Sequence, residues 1–297
     1  MHESAIEQPV RVNEGCSLTM VRRVAAMLDL DSDTFAEGDV LPRGWHFFML
    51  AGETRKSALR PDGFPGLGVP LPDLGLPRLL LGGRTVSYRG DLEIGSVVER
   101  TSFVKKITEK TTPSGPMAIV TIQHELRPVS AASPVLVETQ TYILLSGKTG
   151  SAKAETTPAA PIQAEYQKLF VPDETLLFQY SALGFNSHKI HLDRDYARIV
   201  EGLPDLVVNG GLATLLLTEF IRTELGLAPT EITVKHTAPL YCGRPLTLTA
   251  DQGETGWQLT IFDDTNRVAI TMDLGLGVSD FGFIAGPRSA HASPPAR

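Results

Sequence analysis

Phe185-Asn186-Ser187-His188-Lys189-Ile190-His191-Leu192-Asp193, followed by the apolar run 206–220, is the stretch on which the reading of this chain turns. Two histidines, an asparagine and an aspartate fall within nine residues. Downstream, Val207-Val208-Asn209-Gly210-Gly211-Leu212-Ala213 reads as a Gly-Gly turn opening a long apolar helix. The start of a helix offers unpaired backbone N–H groups to a developing negative charge. A His-rich loop beside such a start suggests a proton-transfer group next to an oxyanion site. The plainer reading makes His188 and His191 loop or cap residues, with Asp193 as the N-cap of a short helix over 194–198. Residues 172–180 read as lead-in structure to the loop.

The rest of the chain bounds this reading. A length of 297 residues predicts two units or one large domain. Hydrophobic content of 42% and charged content of 21% are those of a globular protein. A net charge of −7 argues against a nucleic-acid surface, which needs a basic stripe, yet leaves room for a small phosphorylated ligand held by a local Arg or Lys cluster. Cys16 and Cys242 form no ligand spacing, so no metal is expected, and two distant cysteines suggest a reducing cytoplasm. Residues 1–7 are acidic and lack a signal-peptide core. Apolar runs such as 212–217 are too short to cross a bilayer, so no membrane partner is expected.

Met20, Val21, Val24, Met27 and Leu28 have helical spacing. An aromatic cluster, Trp45-His46-Phe47-Phe48, follows a Pro-Gly turn, and residues 60–77 are a Pro/Gly-dense loop. A loop that long inside a compact domain is more often functional than idle. Strand character over 79–88, 97–107, 117–126 and 134–145 predicts a meandering antiparallel sheet. The second half repeats the scheme, with a helix over 212–225 and strands over 232–235, 246–251, 257–263 and 267–276. Residues 90–95 before one strand parallel residues 238–243 before another. The expected division is a repeat over 1–146, a linker over 147–161, a second repeat over 162–280 and a disordered tail over 281–297.

The order and spacing of several pieces carry a family resemblance. They are Trp45-His46-Phe47-Phe48, Leu76-Pro77-Arg78 with Gly82-Gly83-Arg84, residues 121–125, the loop 185–193, Leu206-Val207-Val208-Asn209-Gly210 and Pro239-Leu240-Tyr241-Cys242-Gly243. Together they resemble the MaoC-like double hotdog hydratases, within them the mesaconyl-C4-CoA hydratase and hydroxyacyl-thioester dehydratase type 2 group. The resemblance implies an α+β tandem hotdog, each repeat a curved antiparallel sheet around a long helix. It also implies a non-catalytic first repeat and an acyl-thioester cleft between the two. The wider family has an Asp-x-Asn-Pro-x-His signature. With its histidine on His191, its aspartate falls on Asn186 and its asparagine on His188. A neutral amide cannot take a proton, so His191 is the expected base and Asn186 orients water. The subgroup has His-Gly where this chain has Asn209-Gly210.

The activity implied is reversible addition of water to a 2-enoyl-CoA thioester of the mesaconyl-C4-CoA kind. No cofactor is implied, and the partner is an acyl-CoA or acyl-carrier thioester. Backbone N–H groups at Gly210 and Gly211 would polarise the thioester. His191 suits proton transfer because an ordinary histidine titrates near 6.5. His188 and Asn209 are expected at the substrate. Arg78 and Arg84 are candidates for an anionic substrate end or for phosphates, and Trp45, Phe47 and Phe48 could close a small pocket. The chain would act as a monomeric pseudo-dimer or a homodimer. The alternatives are a 3-hydroxyacyl-thioester dehydratase on CoA or carrier-protein substrates, and a non-catalytic hotdog that binds such thioesters, kept open by Asn186 and Asn209. A thioesterase lacks a nucleophile or carboxylate base in the loop.

Overall fold

The computed structural model describes residues 8–113, 115–146, 160–253 and 256–277. The chain runs β1 (Val10–Gly15), α1 (Leu18–Met27), a 3-10 turn (Trp45–Leu50), β2 (Arg78–Tyr88), β3 (Val97–Thr112), β4 (Gly115–Pro128) and β5 (Leu136–Leu145). It continues with β6 (Tyr166–Phe170), α2 (Glu174–Leu183), α3 (Gly210–Phe220), β7 (Glu231–His236), β8 (Leu246–Gly253), β9 (Gly256–Phe262) and β10 (Val268–Gly275). Among the described residues ten strands form one antiparallel sheet in the order β1-β3-β4-β5-β2-β7-β10-β9-β8-β6. The second five repeat the order of the first five in mirror sequence from the middle outward. The halves meet where β2 pairs with β7, from Gly83 opposite Lys235 to Ser87 opposite Glu231. Of the expected linker, residues 147–159 lie outside the described residues, as does the whole expected tail 281–297.

The edge strands β1 and β6 are absent from the sequence reading. β6 exposes its three central residues and shows no period, and the alternation of β1 runs over only six residues. The lead-in 172–180 is in fact α2, started by Asp173, whose carboxylate accepts the Leu176 N–H at 2.8 Å.

Helix α3 is apolar on almost every side and is buried on almost every side, from Leu212 to Phe220. That is the behaviour expected of an all-round apolar helix. Its polar residues are satisfied within the core. Thr214 and Thr218 donate to the carbonyls of Gly210 and Leu215, and Glu219 pairs with Arg222 at 2.7 Å. A π-turn, Ile221–Leu225, extends the helix.

Bridges at matching points mark the internal repeat, Val40 to Glu93 in the first half and Val207 to Tyr241 in the second. The halves then part. Where the second half has α3, the first has only the six-residue turn Trp45–Leu50. Pro61, Pro65, Pro70, Pro72 and Pro77 follow within one loop, and proline removes the N–H donor that a helix would need. Phe64, Leu67, Val69, Leu71 and Leu74 of that loop form a second apolar cluster with Ala118, Val120, Ile122 and Leu144. The expected Pro/Gly loop is therefore core-forming.

Trp45 does not close a substrate pocket. It has no exposed surface, and its indole N–H donates to Glu219 Oε1 at 2.6 Å. It is a strut between the turn and α3. Trp45→Phe leaves a buried carboxylate oxygen without that donor. We expect a loss of about 1–3 kcal/mol, read by urea unfolding; an unchanged midpoint would disprove the strut.

Candidate functional site

The loop 185–193 leaves α2 through Phe185, whose backbone is left-handed at φ 47°. That turn places Asn186 on the wall of a cavity between the halves. Asn186 Oδ1 accepts the His188 N–H at 3.1 Å, which fixes the orientation of the amide, whose nitrogen is a donor for a water. His191 is buried, and its Nδ1 lies 2.7 Å from the carbonyl oxygen of Val207. A carbonyl only accepts, so Nδ1 carries the proton and Nε2 keeps its lone pair. The His188 ring stands edge-on to His191, with centroids 5.5 Å apart, and edge-on to Phe64 on its other side.

The loop of the first half clamps this segment. Ser187 Oγ donates to the Gly63 carbonyl at 2.7 Å, the Lys189 N–H donates to the Asp62 carbonyl at 2.9 Å, and His188 Nε2 lies 3.7 Å from Asp62 Oδ2. Gly63 has φ 78°, and a methyl group there would come within 2.3 Å of the Ser187 carbonyl oxygen. Only glycine lets the two loops approach so closely.

The cavity measures about 140 Å³, below the roughly 300–1,000 Å³ of pockets that take drug-sized ligands. Phe47, Leu50, Phe64 and Leu67 form its apolar wall, and Arg84, His124, Gln140, Tyr142, Tyr180 and Asn186 form its polar wall. Behind the polar wall lies Glu138, which has no exposed surface. It holds Arg84 Nη1 at 3.1 Å and His46 Nε2 at 2.7 Å, and accepts from Gln140 Nε2 at 2.7 Å. Burial alone would raise its carboxyl, but Arg84, His46 and Gln140 outweigh this and hold it well below the usual carboxylate range. Arg84 Nε is buried without a partner. Tyr180 stacks on Phe47, with centroids 4.6 Å apart, and its hydroxyl fills the space beside Gly211 at the start of α3.

Asn186, Arg84 and, through Tyr180, the start of α3 are thus brought together. Other expected residues stand elsewhere. Asn209 faces α2, its amide nitrogen 3.3 Å from Ser181 Oγ, and is not part of the cavity wall. Arg78 begins β2 and is not among the residues that line the cavity, and its charge acts on Tyr241. Arg84 does line the cavity, but its charge is already matched by Glu138. His191 and Gly210 lie behind the wall, with Gly210 close to Leu81 and His236. Tyr180, Glu138, Gln140, Tyr142 and His236 were missed. The signal for three of them was present: Glu138, Gln140 and Tyr142 alternate along β5, which puts polar groups on one face.

Burial also changes the histidine chemistry. The expectation of a His191 titrating near neutrality does not hold, because desolvation pushes it down to about 3, partly countered by its bond to Val207. Desolvation likewise takes His236 down to about 3 and His124 down to about 4. Each is neutral in the folded chain and would titrate near 6.5 unfolded. Below that pH the unfolded state binds more protons, so these groups stabilise the fold fully above about 6.5 and lose that contribution as pH falls. The lowered carboxyl of Glu138 acts in the same sense at lower pH. Unfolding free energy should drop by up to about 1.4 kcal/mol per pH unit for each histidine between roughly pH 6 and 4.5. A urea series across that range would show a flat profile if the histidines were solvated.

Among the described residues no cluster of three or more His, Cys, Asp or Glu is gathered as for a metal ion. No helix among them is long and apolar enough to cross a membrane.

Residues 44–242 match the family model of hydroxyacyl-thioester dehydratase type 2. The chain is 31% identical over 247 residues to a mesaconyl-C4-CoA hydratase of Chloroflexus aurantiacus, covering 81% of this chain and 85% of that one. Among solved structures it resembles a MaoC-like dehydratase of Phytophthora capsici, with a TM-score of 0.66 at 14% identity over 92% of this chain and 96% of that one. It also resembles a Mycobacterium tuberculosis protein with a double hotdog fold, with a TM-score of 0.56 at 15% identity over 91% and 96% of the two chains. The fold expected from sequence, a tandem hotdog, is the fold found.

Proposed function

Because the chain belongs to the hydroxyacyl-thioester dehydratase type 2 family, and so to the hydratases and dehydratases of acyl thioesters, we propose that it adds water reversibly to a short 2-enoyl-CoA thioester. The observation that carries the reading is the pinned, neutral His191 in the same short loop as Asn186, which lines the cavity, with Tyr180 on the same wall reaching the start of α3 at Gly211. His191 takes a proton from water through Nε2 while water attacks C3, and returns it to C2. The Asn186 amide orients that water. Its charge-free form supports the split of roles, since an amide can position a water but not deprotonate it. Backbone N–H groups of Gly210 and Gly211 polarise the thioester carbonyl.

A histidine pushed down to about 3 is a weak base. Polarisation of the enoyl group at the oxyanion site supports so weak a base. The low value also has a readable consequence. The kcat/KM profile should show no acid limb from His191 between about pH 5 and 8, whereas a solvated histidine would give one near 6.5. His191→Ala should cut kcat by roughly two to four orders of magnitude while the chain stays folded. Unchanged kcat in a folded variant would remove His191 from the mechanism.

The small cavity supports a short acyl group, and the hydratase relative is named for mesaconyl-C4-CoA. Comparison of kcat/KM for mesaconyl-C4-CoA, crotonyl-CoA and a long-chain 2-enoyl-CoA tests this. We expect the first two to exceed the third by at least tenfold; a preference for the long chain would refute the size argument.

A further inference from the structure

We infer that Arg84 and Tyr180 are catalytic residues: with the first N–H groups of α3 they hold the thioester oxygen as it becomes an enolate. The inference rests on the proposed hydration reading and adds two side chains to it. A methyl group placed on Gly211 would lie 2.1 Å from the Tyr180 hydroxyl oxygen and 3.4 Å from Arg84 Nη2. A phenol and a guanidinium therefore meet beside Gly211, at the helix start whose first N–H groups have no partner within the helix. Arg84 and Tyr180 line the same cavity as Asn186. The Arg84 side chain is only 9% exposed and its Nε is buried without a partner, so a donor is kept ready for an acceptor that the protein itself does not supply. Burial drives the Tyr180 phenol upward, so it stays protonated and donates. The stack on Phe47 fixes its ring.

The charge balance favours an enolate over a free carboxylate of the substrate. Arg84 is already matched by Glu138, which makes the pair neutral overall. Such a pair attracts a ground-state anion weakly. Its outward guanidinium edge still meets negative charge that develops within bonding distance, where little water screens it. In the step itself the water oxygen bonds to C3 while His191 takes the proton. The C2–C3 electron pair moves to C1–C2 and the carbonyl pair moves onto oxygen. The proton on His191 then passes to C2, the carbonyl reforms, and no co-reactant is needed.

The test uses Arg84→Gln with Glu138→Gln, which removes both charges together, and Tyr180→Phe, which keeps the ring stack. Arg84→Lys serves as a milder variant that keeps the buried charge paired, should the double variant not fold. Turnover is measured with crotonyl-CoA, which has no free carboxylate, and with mesaconyl-C4-CoA. We expect kcat to fall by roughly 100–1,000-fold in the double variant, by the same factor on both substrates, with KM little changed. Tyr180→Phe and Arg84→Lys should each lose about tenfold or more in kcat. A second readout needs no turnover: acetoacetyl-CoA is titrated in the bound state and its enolate followed by ultraviolet absorbance. The bound enol should ionise at a pH about two units higher in the double variant than in the native protein. Losses confined to mesaconyl-C4-CoA, losses in KM alone, or an unchanged enol ionisation would overturn the assignment. If the native protein turns over neither thioester, the hydration reading falls by itself, and the enol titration still decides for or against Arg84 and Tyr180.

Discussion

The buried carboxylate of Glu138 is the constraint around which the first half is arranged. A fully buried anion is tolerated only when its charge is matched and its lone pairs are filled. Arg84 comes from β2, His46 from the turn before it and Gln140 from β5 itself. One side chain thus ties three segments together, and it does so on the strand next to the seam of the sheet. Replacing one partner strands a charge, so the group acts as a unit. Its stability return is modest compared with an apolar core of the same volume. What it supplies is position: the guanidinium has one place to be.

The Pro/Gly loop gives the pocket its shape. Where the second half has α3, the first has a short turn, and residues of that turn and of the Pro/Gly loop line the cavity. Proline-rich backbone resists helix formation, and the loop's apolar side chains cover the sheet instead. The same loop reaches across to the second half at Gly63 and Ser187. Cavity size and the placement of the loop 185–193 are therefore set by one segment, and a change in it alters both.

Much of this was legible in the sequence where a period was long and one-sided. The strands of both halves, α1 and α3 declared themselves by apolar spacing, and the resemblance supplied their closure into a tandem hotdog. The edge strands did not, because β6 exposes its three central residues and the alternation of β1 runs over only six. Within the site, the His-rich loop and the Gly-Gly helix start were visible because they are dense in sequence. The network of His46, Arg84 and Glu138 was not. Its members are separated by up to 92 residues and meet only through strand register. Trp45 misled for the opposite reason: an aromatic beside a flexible loop suggests a pocket, whereas its indole is spent on a helix carboxylate.

The joining of β2 to β7 within one chain has an evolutionary consequence. In an assembly of two identical half-length chains, any substitution falls on both sides of the interface, so a residue useful in one place must be harmless in its twin. A covalent tandem removes that tie. One copy is free to lose a helix, acquire prolines and bury a charge cluster, while the other keeps an intact helix start and its loop. The asymmetry between Trp45–Leu50 and α3 records that freedom.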